Sequence, residues 1–306
     1  MIATGSSPIV IDIQGVTRRF GATLALDNIR LSVPRGCVFG LVGVNGSGKT
    51  TLIKHVLGLL RAETGAVRVF ERDPVTDPVG VLSRIGYLSE ENDLPAWMTV
   101  TELIRYTRAF YSGWRDDYAE ELRQSFGLEP GARIGTLSKG QQARAGLLVA
   151  LAYRPELLVL DEPSSGLDPL VRRDILGAII RTVADEGRTV LFSSHLLDEM
   201  ERVVDHVAMI DKGRIVLSAA MDEIQASHRR LTLRFAEARS QPPALAGALA
   251  WEGAGHEWTA VCHGPVAELQ AAVSACGARI VEEHGVGLDA VFVARMARPG
   301  ATSQAE

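Results

Sequence analysis

One stretch constrains this chain more than any other: Gly43-Val44-Asn45-Gly46-Ser47-Gly48-Lys49-Thr50-Thr51. The apolar run Val38-Phe39-Gly40-Leu41-Val42 before it predicts a short buried strand, and Thr51 to Leu57 after it predicts a helix. Strand, glycine-rich turn and helix are the context in which the pattern G-x-x-x-x-G-K-[ST] acquires physical meaning. Gly43, Gly46 and Gly48 permit positive φ and close backbone approach, so N–H groups from Gly43 through Asn45, Ser47 and Gly48 can converge on one anion. The positive end of the helix dipole falls on the same spot. Lys49 offers a mobile charge to β- and γ-phosphates, Thr50 a hydroxyl to Mg²⁺ and Thr51 a donor to the α-phosphate. The bland alternative is a glycine-rich turn that caps a helix. The strand, the lysine and both threonines favour a phosphate-binding loop.

Length and composition set the frame around this loop. A chain of 306 residues holds one large domain with an appendage, or two domains. At 46% hydrophobic and 23% charged it has the composition of a folded globule. A formal charge of -5 argues against a nucleic-acid partner, which would favour a basic patch. Cys37, Cys262 and Cys276 are too scattered for a disulfide framework or a zinc cluster and fit a reducing compartment. No apolar run reaches the ~18–20 residues of a membrane span. The best candidate, Ala145 to Tyr153, is cut by Arg154-Pro155. The start, MIATGSSPIV, lacks the basic and apolar regions of a secretion signal. The expectation is a cytoplasmic chain whose membrane connection comes through another subunit.

Along the chain, Met1 to Ser7 read as a loose tail. Ile9 to Ile13, Val16 to Gly21 and the alternating Ile29 to Val33 then predict an antiparallel β-layer ahead of the loop. Phe20, at the end of that hairpin, suits either stacking on a base or ordinary core packing. Val67 to Phe70 and Ile85 to Leu88 predict strands. Residues 89–136 differ in character: Thr99-Val100-Thr101-Glu102 is a capping box opening a helix to about Tyr111, and a second helix spans about Arg115 to Phe126. This predicts an inserted helical subdomain. Trp97 and Trp114 flank its first helix, either facing a partner or completing its core.

Leu137-Ser138-Lys139-Gly140-Gln141 opens a further helix, with Ser138 and Gln141 as another capping box. Its free N–H groups make a second anion site. Leu157 to Leu160 followed by Asp161-Glu162 predicts a buried strand that presents two carboxylates at the ligand-facing edge of a parallel sheet. Asp161 suits Mg²⁺ coordination, and Glu162 a general base toward water beyond the γ-phosphate. Asp168 and Pro169 cap a helix to about Asp185, and His195 sits at the end of the strand Thr189 to Phe192, on the same edge. Val207 to Leu217 form a hairpin around Asp211-Lys212-Gly213. Beyond Met221 short strands and helices suggest a small α+β appendage. His256, His263 and His284 match no metal-ligand spacing.

The order of these pieces resembles the ATPase subunit of ATP-binding cassette (ABC) transporters, over roughly Ile9 to Ala220. The resemblance implies an α/β fold: a P-loop NTPase (RecA-like) core with an antiparallel β-subdomain, an inserted α-helical subdomain and a small C-terminal α+β appendage. The nucleotide-binding domain would be 1–220 and the accessory domain 221–306. By resemblance, Ser138, Gly140 and Gln141 bind the γ-phosphate held by another protomer's loop, with Lys139 in place of the commoner glycine. Phe20 matches the adenine-stacking aromatic, Asp168 the aspartate across the dimer interface, and His195 the histidine that contacts the γ-phosphate. Glu90 stands where the family usually has glutamine; it can meet Mg²⁺ or water but cannot donate a hydrogen bond while ionised. The ending Gly287-Leu288-Asp289-Ala290-Val291-Phe292 is similar to the tails of exporter-type ATPases.

The implied function is ATP hydrolysis, with ATP and Mg²⁺ as cofactors. A dimer closed around two ATP, homomeric or heteromeric, would drive a membrane permease docked near Glu90 to Trp114. Two alternatives are a soluble ABC-type ATPase acting on DNA or ribosomes and a non-hydrolysing regulatory subunit. The absence of a second cassette or a coiled-coil insertion weighs against the first, and intact Glu162, Ser138 and His195 against the second.

Overall fold

In the computed structural model, which describes residues 8–91, 93–184 and 187–296, the chain divides into two compact units. Met1 to Ser7 and Asp185 lie outside the described residues. The first unit holds the residues up to 196 together with 203–218; the second holds 197–202 and those from 219 onward.

In the first unit, β1 (Ile9–Phe20) and β2 (Thr23–Pro34) form one long antiparallel hairpin, where the sequence suggests shorter runs. Ile29, Leu31 and Val33 are buried while Arg30 and Ser32 face out, the period of two that a half-covered strand requires. The phosphate-loop strand β3 (Val38–Val42) and helix α1 (Lys49–Val56) follow, and β4 (Thr64–Val69) then returns to pair with β1. The result is a three-stranded sheet ordered β2-β1-β4.

A second sheet is built from β3, β5 (Ile85–Leu88), β6 (Leu157–Asp161), β7 (Thr189–Ser194), β8 (His206–Asp211) and β9 (Arg214–Ala220), ordered β5-β6-β7-β3-β8-β9. The strands from β5 through β8 in that order run parallel. Every residue of β3, β6 and β7 is buried, which is why those strands read as continuous apolar runs rather than alternating ones. Burying each aliphatic side chain contributes about 1.5–3 kcal/mol, so these strands are a substantial part of the unit's core.

Helix α2 (Pro78–Leu82) leads into β5, and the inserted segment carries α3 (Val100–Arg108) and α4 (Asp116–Ser125). The Thr99 hydroxyl accepts from the Glu102 N–H (3.2 Å), and Glu102 Oε2 accepts from the Thr99 N–H (2.8 Å). Helix α3 ends at Arg108 rather than near Tyr111, whose ring instead stacks on Tyr153 at 3.7 Å. Trp97 is 69% exposed and so is not subdomain core. Helix α5 (Lys139–Leu151) has apolar residues on all sides and is buried along most of its length; α6 (Pro169–Ala184) follows β6.

The second unit comprises α7 (Leu197–Glu201), α8 (Met221–Ser227), β10 (His228–Arg239), β11 (Ala248–His263), α9 (Val266–Ala275), β12 (Ala278–Gly285) and α10 (Leu288–Met296). Its antiparallel sheet is ordered β11-β10-β12, with Leu231, Leu233, Phe235, Trp258 and Leu269 at the centre of its core. Among the described residues, no helix is long and apolar enough to cross a membrane.

Candidate functional site

The site forms at the C-terminal ends of β3, β6 and β7. Strand β3 lies mid-sheet between β7 and β8, and its end turns directly into the glycine-rich loop. Two glycines there are dictated by space. A Cβ on Gly43 would lie 2.4 Å from Ser47 Oγ and 2.5 Å from the Ile210 carbonyl oxygen. Gly48, the N-cap of α1, has φ +113°, and a Cβ would approach the Ala25 carbonyl oxygen to 2.7 Å. Helix α1 therefore starts at Lys49, earlier than the apolar pattern alone suggests. Lys49 is 5% exposed. Its ammonium donates to the Gly43 carbonyl at 2.6 Å and the Val44 carbonyl at 3.3 Å, and lies 3.1 Å from Glu162 Oε1.

Parallel pairing of β6 with β7 sets Asp161 opposite Ser193. The Ser193 hydroxyl donates to Asp161 Oδ1 (2.7 Å) and accepts from the Glu162 N–H (3.0 Å), fixing both acidic residues to the neighbouring strand. Glu162 is held at φ +49°, a conformation that costs a non-glycine residue about 1–3 kcal/mol and that clusters at functional sites. Its Oε2 accepts from His195 Nδ1 at 2.7 Å. Lys49, Glu162 and His195 thus form one continuous polar chain.

Burial pushes the Asp161 carboxyl above its usual pKa. Hydrogen bonds from Ser193 and the Thr50 side chain oppose that rise, while the charges of Glu162 and Glu90 add to it. Glu90 lines three clefts: one of about 480 Å³ with Thr50 and Asp161, one of about 270 Å³ with Lys139 and Glu162, and one of about 290 Å³ with Lys49, Thr50 and Glu162. The 290 Å³ cleft is also walled by Asn45, Gly46, Gly48 and Thr51 and by the tip of the β1–β2 hairpin, Thr23 to Ala25. Phe20 pairs with Thr23 at that tip and is 46% exposed, which removes it from the core. The Arg18 guanidinium stands 4.9 Å from its ring centroid.

Ser138, Gly140 and Gln141 stand apart from this cluster, at the start of α5. Ser138 is exposed; its hydroxyl accepts from the Gln141 N–H (3.2 Å), and Gln141 Oε1 accepts from the Ser138 N–H (3.0 Å). The Ser138 O–H and the Lys139 and Gly140 N–H groups, which have no intrahelical acceptor, remain available to an incoming anion. Gly140 is buried because α6 presses on it: a Cβ there would lie 2.6 Å from Val171 Cγ2. Asp168 caps α6, accepting from the Leu170 and Val171 N–H groups at 3.0 and 3.1 Å.

Sequence and fold are both shared with known proteins. The sequence model of the ABC transporter family matches residues 26–165. The daunorubicin/doxorubicin resistance ATP-binding protein DrrA of Streptomyces peucetius is 34% identical over 241 residues, covering 76% of this chain and 73% of DrrA. This chain belongs to the ABC transporter ATP-binding proteins. The bacitracin transport ATP-binding protein BcrA of Bacillus licheniformis is 30% identical over 72% of this chain and 73% of its own length. A solved ATP-binding subunit of an ABC transporter superposes with TM-score 0.65 at 26% identity, covering 71% of this chain and 92% of that one. ATP binding and hydrolysis are the general activity of this family, and its ATP-binding subunits pair with a membrane permease and with a second cassette.

The donor set of this ABC ATPase fits a hard divalent cation. Thr50 and the acidic residues Asp161 and Glu90 line one cleft and offer it a hydroxyl and two carboxylates, the hard oxygen ligands such a cation prefers. The sequence pattern does not mark Thr23 to Ala25, Ser193 or Lys212 as parts of the site. Lys212, seen there only as part of a hairpin turn, also lines the 290 Å³ cleft. Nothing local to Asp211-Lys212-Gly213 signals this, because the placement comes from β8 lying next to β3.

Proposed function

We propose that this chain is the ATP-hydrolysing subunit of an exporter, acting as one half of a dimer that closes around two ATP molecules. Residues 1–220 serve as the nucleotide-binding domain and 221–306 as an accessory domain. The observation that carries this reading is the chain from buried Lys49 and Glu162 to exposed His195 at the C-terminal edge of the sheet, with the exposed serine that caps α5 left for another molecule to use. Export is favoured by the drug-resistance and bacitracin-transport relatives.

The loop from Gly43 through Asn45, Gly46, Ser47, Gly48 and Thr51 holds the triphosphate, and Phe20 stacks on the base. Thr50, Asp161 and Glu90 hold Mg²⁺, which supplies neutralising charge at the phosphates. Lys49, now shared between Gly43 and Glu162, moves its ammonium onto the β- and γ-phosphates and frees Glu162 Oε1. Glu162 then accepts a proton from the water whose oxygen bonds the γ-phosphorus as ADP leaves. His195 steadies Glu162 through Oε2. Ser138, Gly140 and Gln141 reach the γ-phosphate of the opposite protomer, with Asp168 near that interface.

ATP thus favours the closed dimer and hydrolysis the open one, a population shift passed to a permease through the segment Glu90 to Trp114. The chain works at the cytoplasmic face of the membrane, held there by the permease. Glu162→Gln should bind ATP, accumulate as an ATP-bound dimer in size-exclusion chromatography, and turn over about 10²-fold or more slowly. Wild-type hydrolysis by that variant would remove Glu162 from its role.

A further inference from the structure

The turn between β8 and β9 contains a feature that hairpin formation alone does not require. Lys212 has φ +45° and Gly213 φ +77°. A two-residue turn with positive φ at both positions selects asparagine or glycine at the first, because a long side chain gains nothing there and is strained. The turn is also pinned on both sides. The Gly213 N–H donates to the Ser47 carbonyl of the phosphate loop (2.9 Å), and the Asp27 N–H of β2 donates to the Gly213 carbonyl (2.8 Å). A Cβ on Gly213 would lie 2.6 Å from the Ala25 carbonyl oxygen, so the turn packs directly on β2. The backbone at Lys212 is thereby held beside the loop, and its exposed side chain lines the 290 Å³ cleft with Asn45, Lys49, Thr50 and Thr51.

Charge bookkeeping points the same way. Asp27, on the adjoining strand, is engaged by Arg214 (2.6 Å), and among the described residues Lys212 forms no ion pair. Lys49, by contrast, is charge-paired to Glu162. We propose that Lys212 is a further nucleotide-binding residue, a second cation directed at the polyphosphate of a nucleoside triphosphate. This rests on the nucleotide reading of the cleft given above. The competing account is a solvated turn lysine with no ligand.

Lys212→Asn separates the two accounts, because asparagine tolerates positive φ and relieves the strain while removing the charge. In the full-length protein, with MgATP titrated by calorimetry at low salt, Lys212→Asn should raise the Kd on the order of 5- to 10-fold. Lys212→Arg should stay within about 2-fold of wild type, and added salt should narrow the gap between Lys212→Asn and wild type. Without nucleotide, Lys212→Asn should melt at a temperature equal to the wild type or ~1–3 °C higher. Weaker binding by a variant that is no less stable supports a ligand contact. A Kd within about 2-fold of wild type overturns the proposal. Lys49→Ala, run beside it, distinguishes the failures. If Lys49→Ala binds normally as well, the nucleotide reading of the cleft falls and Lys212 falls with it. If only Lys212→Asn binds normally, Lys212 alone is misassigned.

Discussion

Both compact units bury titratable groups, and they do so in opposite ways. In the second unit, His228 is 1% exposed yet satisfied at both ring nitrogens: Nδ1 lies 2.9 Å from the Ile224 carbonyl, and Nε2 faces an Arg295 N–H at 3.3 Å. In the first unit, Asp161 and Glu162 are also buried but stand next to each other, with the charge of Glu90 acting on Asp161 as well, and Glu162 Oε1 has no hydrogen-bond donor beyond its ionic contact with Lys49. A buried group whose own polar atoms are all paired helps hold a fold together. A cluster left with excess charge of a single sign is a site waiting for a ligand of the other sign.

The largest expected effect tests that cluster. Lys49→Ala removes the only cation among the described residues in contact with Glu162 Oε1, and with it the charge assigned to the phosphates. ATP turnover should fall about 10²–10³-fold, the range for deleting one preorganised electrostatic contact. Steady-state phosphate release measures it. An unchanged rate would place the first unit's buried charges in the same structural class as His228.

The contrast also explains what the sequence could disclose. The loop, the strand-end carboxylates and both capping boxes were legible because each depends on a few adjacent residues whose local conformation fixes their chemistry. The β1–β2 hairpin was only partly legible: the strand continues from Ile9 to Phe20 through several register irregularities that interrupt the alternation. Phe20 could be core or surface until the hairpin tip was placed. Lys212 was invisible because its position depends on which strand lies beside β3, a property of the whole sheet. Helix α8 went unread, since its cap at Ala220 lacks a side-chain hydrogen bond. Short-range chemistry survives in sequence; sheet adjacency does not.

A middle-sized effect concerns Asp161. Its folded pKa is raised, chiefly by burial, so the group favours folding below the ordinary aspartate pKa and loses that contribution as pH rises through the folded value. At neutral pH the ionised carboxylate therefore destabilises the ligand-free first unit. Asp161→Asn should raise its melting temperature at pH 7 in the absence of Mg²⁺ and nucleotide, and the gain should vanish toward pH 4. Calorimetry at the two pH values checks this. A lower melting temperature at pH 7 would mean that the Ser193 and Thr50 hydrogen bonds outweigh the buried charge.

The smallest effect should come from His228, whose two ring nitrogens are both paired, with the opposite sign. The pKa of His228 is lowered, first by burial and further by the neighbouring charges of His263 and Arg295. The groups around it are the Ile224 carbonyl, the Ser227 hydroxyl, the His263 ring at 4.7 Å and the Arg295 guanidinium. A base with a depressed folded pKa contributes stability above its unfolded value and loses it as pH falls through the folded one. Acidification from pH 7 toward 5 should therefore weaken the second unit, because protonating Nε2 turns an acceptor for Arg295 into a second cation facing it. Trp258 lies in that unit's core with Trp251 beside it, so tryptophan fluorescence in a Trp97→Phe/Trp114→Phe background reports on this unit alone. His228→Gln should flatten the acid dependence, since the amide keeps a donor and an acceptor but takes no proton. If the wild-type and His228→Gln profiles coincide between pH 7 and 5, burial of His228 is not what sets the acid limit of the second unit.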